Sequence, residues 1–160
     1  MAYQQPKEQI LKSTDLKDYS IRVIVAGSRG FSDKVLFHEK ILAFLEEIDE
    51  PVLFISGAAP SGADDLIIRW CKRYGYPCKV QPADWDKHGR GAGFIRNVEM
   101  AKIATHLIAF YDGVSPGTAH MLEQAESTAY NLITKTILIK SLKNDPTNHK
   151  KDLHIGGCAV

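Results

Sequence analysis

Along the middle of the chain, short unbroken apolar runs alternate with stretches whose apolar residues recur at helical spacing. The first run is Ile21–Ala26, closed by Gly27. Phe37, Ile41, Phe44, Leu45 and Ile48 follow at helical spacing, with Ser32 or Asp33 placed to cap the helix they predict. Pro51–Ser56 is the second run, stopped by Gly57. Ala63, Ile67, Trp70, Cys71 and Tyr74 form the next helical stripe, and Gly75 is a natural left-handed terminator for it. Cys78–Gln81 is a short third run, and Phe94–Ala104 reads as helix. His106–Phe110 is the fourth run, ended by Asp112 and Gly113; Thr118–Tyr130 is helical again, and Thr136–Ile139 is the fifth run.

Runs that are apolar throughout, rather than alternating with polar residues, belong to strands covered on both faces. Interleaved with helices, they predict a three-layer α/β/α Rossmann-like sandwich around a mainly parallel sheet of about five strands. The expected strand order is 3-2-1-4-5. The folded unit is expected over residues 21–140, flanked by an N-terminal arm (1–20) and a polar, then Gly-containing C-terminal tail (141–160).

Composition narrows the functional classes. A chain of 160 residues is one domain of ordinary size, and 44% apolar content gives it a core that needs no disulfide or metal. The formal net charge of +1 supplies no long-range pull toward nucleic acid or acidic membranes, so neither is an expected partner. Cys71, Cys78 and Cys158 match no zinc spacing and read as two small core residues and a tail thiol. The polar N-terminal segment carries no secretory pattern and no run is long enough to span a bilayer, so the expectation is a cytoplasmic protein. No metal and no cofactor is indicated.

In such a fold ligands sit beyond the carboxyl ends of the strands. Three short turns there are candidates. Gly27, Ser28 and Arg29 offer close backbone approach, a hydroxyl and a forked cation to a phosphate, although the spacing is neither that of a dinucleotide fingerprint nor that of a P-loop. Ser56, Gly57, Gly62 and Asp64 lead into a helix start, where free N–H groups favour an anion. Asp65 suits the helix dipole, whereas Asp64 serves either that dipole or a ribose hydroxyl. Asp112, Ser115, Gly117 and Thr118 form the third turn, with His120 beyond it as a surface helix residue. A fourth segment, residues 82–97, is too long for a minimal connection. In it Trp85 either stacks a base or caps the core, and Arg96 and Asn97 open the next helix toward the same pocket.

VAGSRGFSD, ISGAAPSGADDLIIRWC, PADWDKHGRGAGFIRNVEM and AFYDGVSPGTAHMLEQA occur in that order. Together they resemble the YspA-like branch of the SLOG superfamily, which joins the DprA/Smf proteins and the "Lonely guy" (LOG) phosphoribohydrolases. The resemblance runs from about Ile21 to Ile139. It implies a fold that binds nucleotides or nucleotide-derived molecules, and in many members a homo-oligomer. Arg96-Asn97 with Met100 is similar to the Arg-led helix start of LOG enzymes, and Gly117-Thr118 resembles their phosphate-cradling Gly-Thr. Their catalytic Glu, however, falls on Met121 here. Two readings follow. In the first the protein binds a nucleotide-derived signal as a sensor or sequestering module, in the setting of phage defence or counter-defence. In the second it is a nucleotide N-glycosidase, with Arg96, Asp84 and Asp112 as catalytic candidates.

Overall fold

The computed structural model describes residues 13–140; the segments 1–12 and 141–160, with Cys158, lie outside the described residues. Five strands, β1 (Ile21–Gly27), β2 (Val52–Ser56), β3 (Cys78–Val80), β4 (His106–Tyr111) and β5 (Ile133–Leu138), form one sheet in the order β3-β2-β1-β4-β5. Every pairing is parallel: Ile21 lies opposite Val52, Val23 opposite His106, Phe54 opposite Cys78, and His106 opposite Ile133. The strand order and the three-layer Rossmann-like sandwich are those the apolar runs predict.

The strand alternation divides the chain into two cores. Val23, Val25, Phe54 and Phe110 face one side, where α1 (Lys34–Glu46) contributes Phe37 and Ile41, and α2 (Ala63–Tyr74) contributes Ile67 and Trp70. Ile24, Ala26, Leu107 and Ala109 face the other, where α4 (Ala92–Ile103) contributes Met100 and Ala101, and α5 (Pro116–Glu126) contributes Met121 and Ala125. The first core is aromatic: Phe31 stacks on Phe110 at 4.8 Å between ring centres, and Trp70 donates its indole N–H to Nδ1 of His38 at 3.0 Å. The second is built from smaller residues, which brings α4 and α5 close to the sheet and leaves room at its carboxyl edge.

Local chemistry ends the helices where expected. Asp33, rather than Ser32, caps α1 by accepting the Leu36 N–H at 3.0 Å. Gly75, at φ +78°, closes α2 with its N–H on the Cys71 carbonyl. The free thiols of Cys71 and Cys78 hydrogen-bond to each other beside that turn.

Three boundaries differ from the sequence expectation. Within residues 82–97 a one-turn helix, α3 (Trp85–His88), and a 3-10 turn (Gly89–Gly91) precede α4. Helix α5 stops at Glu126 rather than Tyr130, because Ser127 is extended (φ −65°, ψ 151°) and breaks the helix; Asn131, at φ +49°, follows just before β5. Strand β5 begins at Ile133 rather than Thr136: it is an edge strand with Ile137 as its one buried residue, so its periodicity is faint. Residues 13–20, expected within the arm, form a 3-10 turn, and Tyr19 is buried with its hydroxyl donating to the Ser13 carbonyl.

Candidate functional site

Strands β1 and β4 are neighbours whose connections leave in opposite directions, toward β2 and toward β5. Their loops therefore part at the carboxyl edge and open a crevice. A cavity of about 400 Å³ lies there, floored by Ala26, Met100 and Met121 and lined by the loops after β1 and β4 and the starts of α4 and α5.

The loop after β1 is pinned rather than free. Ser28 donates its N–H to the Phe110 carbonyl at 3.0 Å, Phe31 donates back to the Ser28 carbonyl at 3.1 Å, and the Phe31 ring is held in the aromatic core. Arg29 is thereby held at the cavity wall. The Ser28 hydroxyl accepts the Asp112 N–H at 3.2 Å and lies 3.0 Å from the Ser115 hydroxyl, which donates to Oδ2 of Asp112 at 2.8 Å. Oδ1 of Asp112 accepts the N–H groups of Val114 and Ser115. Burial alone would raise the Asp112 carboxyl, but these hydrogen bonds outweigh it and hold the group below the ordinary carboxylate range. Asp112 is thus held ionised, as a staple for its loop at the cavity edge.

The β2–α2 loop is shaped around Asp64. The Ser56 hydroxyl donates to the Asp64 carbonyl at 2.8 Å and accepts the Ala58 N–H at 3.1 Å, while the Asp64 carboxylate accepts the Ala59 N–H at 3.1 Å. Gly57 is required here: a Cβ would lie 2.8 Å from Nη1 of Arg96 and 2.9 Å from Oδ2 of Asp64. Gly62, at φ +76°, lies against the backbone of Ser28 and Arg29, so the first two loops interlock. Burial raises the Asp64 carboxyl, and the Ala59 N–H, Arg96 and Arg29 oppose that rise only in part.

Helix α4 brings Arg96 and Asn97 to the same point. Arg96 donates to the Gly57 carbonyl through Nη1 and to Oδ1 of Asn97 through Nε. Burial lowers its pKa, with Asp64 opposing, and an arginine remains charged at any physiological pH. The buried Asn97 amide reaches the Gly117 carbonyl and Nδ1 of His120, both at 3.2 Å. His120 stacks on Phe94 at 4.3 Å, and burial lowers its pKa.

Two further features complete the site. Ser115 precedes α5, yet its hydroxyl is engaged with Ser28 and Asp112 and does not cap the helix. The first-turn N–H groups of Gly117 and Thr118 are thus left at the cavity edge, where they favour an anion. At the mouth stand two aromatic rings, Trp85 (53% exposed) and Phe94 (47% exposed), with Arg90 beside them.

Of the turn and loop residues singled out from the sequence, Ser56, Gly57, Gly62, Asp65, Asp84 and His120 fall outside the cavity lining and the others line it. The first three act beneath it, as loop-shaping residues. Asp84 is the N-cap of α3, accepting the Lys87 N–H at 3.0 Å, and is not among the residues that line the cavity. Asp65 pairs with Arg69 at 2.8 Å on the outer face of α2. Ala26, Arg90 and Phe94 also line the cavity without having been singled out from the sequence: Ala26 through β1, Arg90 through the 3-10 turn and Phe94 through α4, with the cations of residues 82–97 as the available signal.

A family model described as the YspA, cpYpsA-related SLOG family (YAcAr) matches residues 21–88. Gene 61 protein of Mycobacterium phage D29 is 30% identical over 118 residues, covering 70% of this chain and 94% of that protein. The X-ray structure of DNA processing protein A (DprA) from Streptococcus pneumoniae superposes with a TM-score of 0.60 over 91% of this chain at 19% identity. The chain spans 59% of that structure's length, so the likeness is one of fold.

Proposed function

The chain belongs to the YspA, cpYpsA-related SLOG family, and from that premise we propose that its cavity binds a nucleotide or nucleotide-derived signalling molecule, as a sensor or sequestering module. One observation carries the reading. Arg29, Arg90 and Arg96 converge on a single crevice with the uncapped start of α5, and Trp85 stands at its mouth. Guanidinium forks complement phosphate or sugar hydroxyls, free N–H groups complement phosphate, and an exposed indole complements a base. Similarity to a phage protein supports a phage setting for that signal.

Binding is favoured over cleavage by what occupies the floor. Met121 is 1% exposed and offers no carboxylate, Asp112 is fully engaged, and Asp84 lies elsewhere. Asp64 is the remaining cavity carboxylate and is the one feature that favours an N-glycosidase. Homo-oligomer formation and a cytoplasmic location accompany the proposal; no described helix is long and apolar enough to cross a membrane.

Calorimetric titration with nucleotides, ADP-ribose and cyclic nucleotide signals tests the reading. Saturable binding of at least one, weakened by Arg96→Met, is expected; no binding across the panel refutes it. Chromatography after long incubation with nucleoside monophosphates separates the alternatives, since released base and ribose phosphate would favour the hydrolase.

A further inference from the structure

Asp64 and Arg96 meet over Gly57 without closing on each other. Oδ2 of Asp64 and Nη1 of Arg96 both lie within 3 Å of the point where a Gly57 Cβ would stand, yet among the described residues the two side chains form no ion pair. Each keeps capacity unused. Asp64 is 7% exposed, and its Oδ2 accepts the Ala59 N–H while Oδ1 has no hydrogen-bond partner among the described residues. Oδ1 is also not sealed off, since no buried side-chain polar atom lacks a partner, so it opens to the cavity that Asp64 lines. On Arg96, Nε and Nη1 are engaged with Asn97 and Gly57, and Nη2 is left on the same cavity.

An acceptor-only carboxylate and a donor-only guanidinium that meet at Gly57, each with capacity left, suit a partner that both donates and accepts. A phosphate only accepts and would repel the carboxylate; an ammonium only donates and would repel the guanidinium. A hydroxyl satisfies both, and a vicinal diol offers one hydroxyl to each. The phosphate-favouring groups, the uncapped N–H groups of Gly117 and Thr118, belong to a different wall of the cavity. From this arrangement we infer that Asp64 and Arg96 read the ribose hydroxyls, so that the site selects ribonucleotides over their deoxy counterparts. The inference rests on the nucleotide reading above. The burial that raises the Asp64 carboxyl agrees with it, because a desolvated carboxylate gains most from a new donor.

The test is calorimetric titration of the intact protein with the four ribonucleoside 5′-diphosphates and their 2′-deoxy forms at one salt concentration. At least one ribonucleotide is expected to bind about ten- to a hundredfold more tightly than its deoxy form, the range expected for loss of a charge-assisted hydrogen bond. In Asp64→Asn, with its circular dichroism melt checked, that preference should fall to within about threefold. Equal affinity for ribo- and deoxy- forms in the unaltered protein overturns this inference and leaves the nucleotide reading standing. Binding of none of the eight overturns this inference, and the nucleotide reading falls with it only if ADP-ribose and the cyclic nucleotides also fail to bind. The wild-type comparison decides the matter even if Asp64→Asn does not fold.

Discussion

The side-chain amide of Asn97 donates to the main-chain carbonyl of Gly117 at 3.2 Å, tying α4 to the first turn of α5 across the cavity. The same side chain accepts from Nε of Arg96 and reaches Nδ1 of His120. One buried amide therefore sets both the aim of the guanidinium and the position of the N–H groups opposite it. Replacing it by alanine leaves three polar partners short of a hydrogen bond. Asn97→Ala should lower stability by about 1–3 kcal/mol, read by urea denaturation, and weaken nucleotide binding with it.

Arg96 is expected to matter for binding more than for folding. Arg96→Met keeps the aliphatic stem in place and should weaken nucleotide affinity by about ten- to a hundredfold. Arg96→Lys should rescue little, because one ammonium cannot reach Gly57, Asn97 and a ligand as a planar fork does. Tryptophan fluorescence offers a readout: Trp70 is 6% exposed and silent to ligand, whereas Trp85 stands at the mouth, so quenching should titrate in wild type and shift to higher concentration in both variants.

Two glycines should respond in opposite ways. Gly62→Ala forces a side chain into a φ of +76° against the Ser28–Arg29 backbone and should destabilise by about 1–3 kcal/mol. A Cβ on Gly117 meets nothing within 4 Å, and Gly117 lies in the first turn of α5, so Gly117→Ala should be neutral or stabilising by up to about 1 kcal/mol. If the ligand's phosphate approaches that turn, the same methyl should nevertheless reduce affinity. Thermal melts and calorimetry on one sample separate the two effects.

The pH dependence of the β4–α5 loop follows from Asp112. Its pKa in the folded protein lies below the ordinary 3.8, so its ionised form stabilises the fold. That contribution is complete above pH 3.8 and is lost as the pH falls through the folded value. Asp112→Asn should therefore melt below wild type near neutrality, and the gap should narrow as the pH falls below 3.8, as differential scanning calorimetry would show.

The architecture was legible because both faces of β1, β2 and β4 are covered, which makes runs such as Ile21–Ala26 apolar throughout. Strand β5 was harder to bound, since Ile133 and Leu138 at the sheet edge are exposed and leave no periodic signal. The one-turn α3 was hidden by the glycines that follow it, and the end of α5 by an extended Ser127 that no pattern announces. For the site, turn residues such as Ser28, Gly117 and Thr118 were readable because strand ends are where ligands gather. What separates Asp64 and Arg96, which face the cavity, from Asp84, which caps a helix, is packing across dozens of residues, and spacing carries no record of it.

The most direct measurement is a crystal structure of the protein soaked with the ribonucleotide that calorimetry finds to bind. The account predicts density in the β1–β4 crevice, with phosphate oxygens on the N–H groups of Gly117 and Thr118 and the base toward Trp85. A nucleotide bound elsewhere on the surface, or a crevice left empty at saturating ligand, would contradict it.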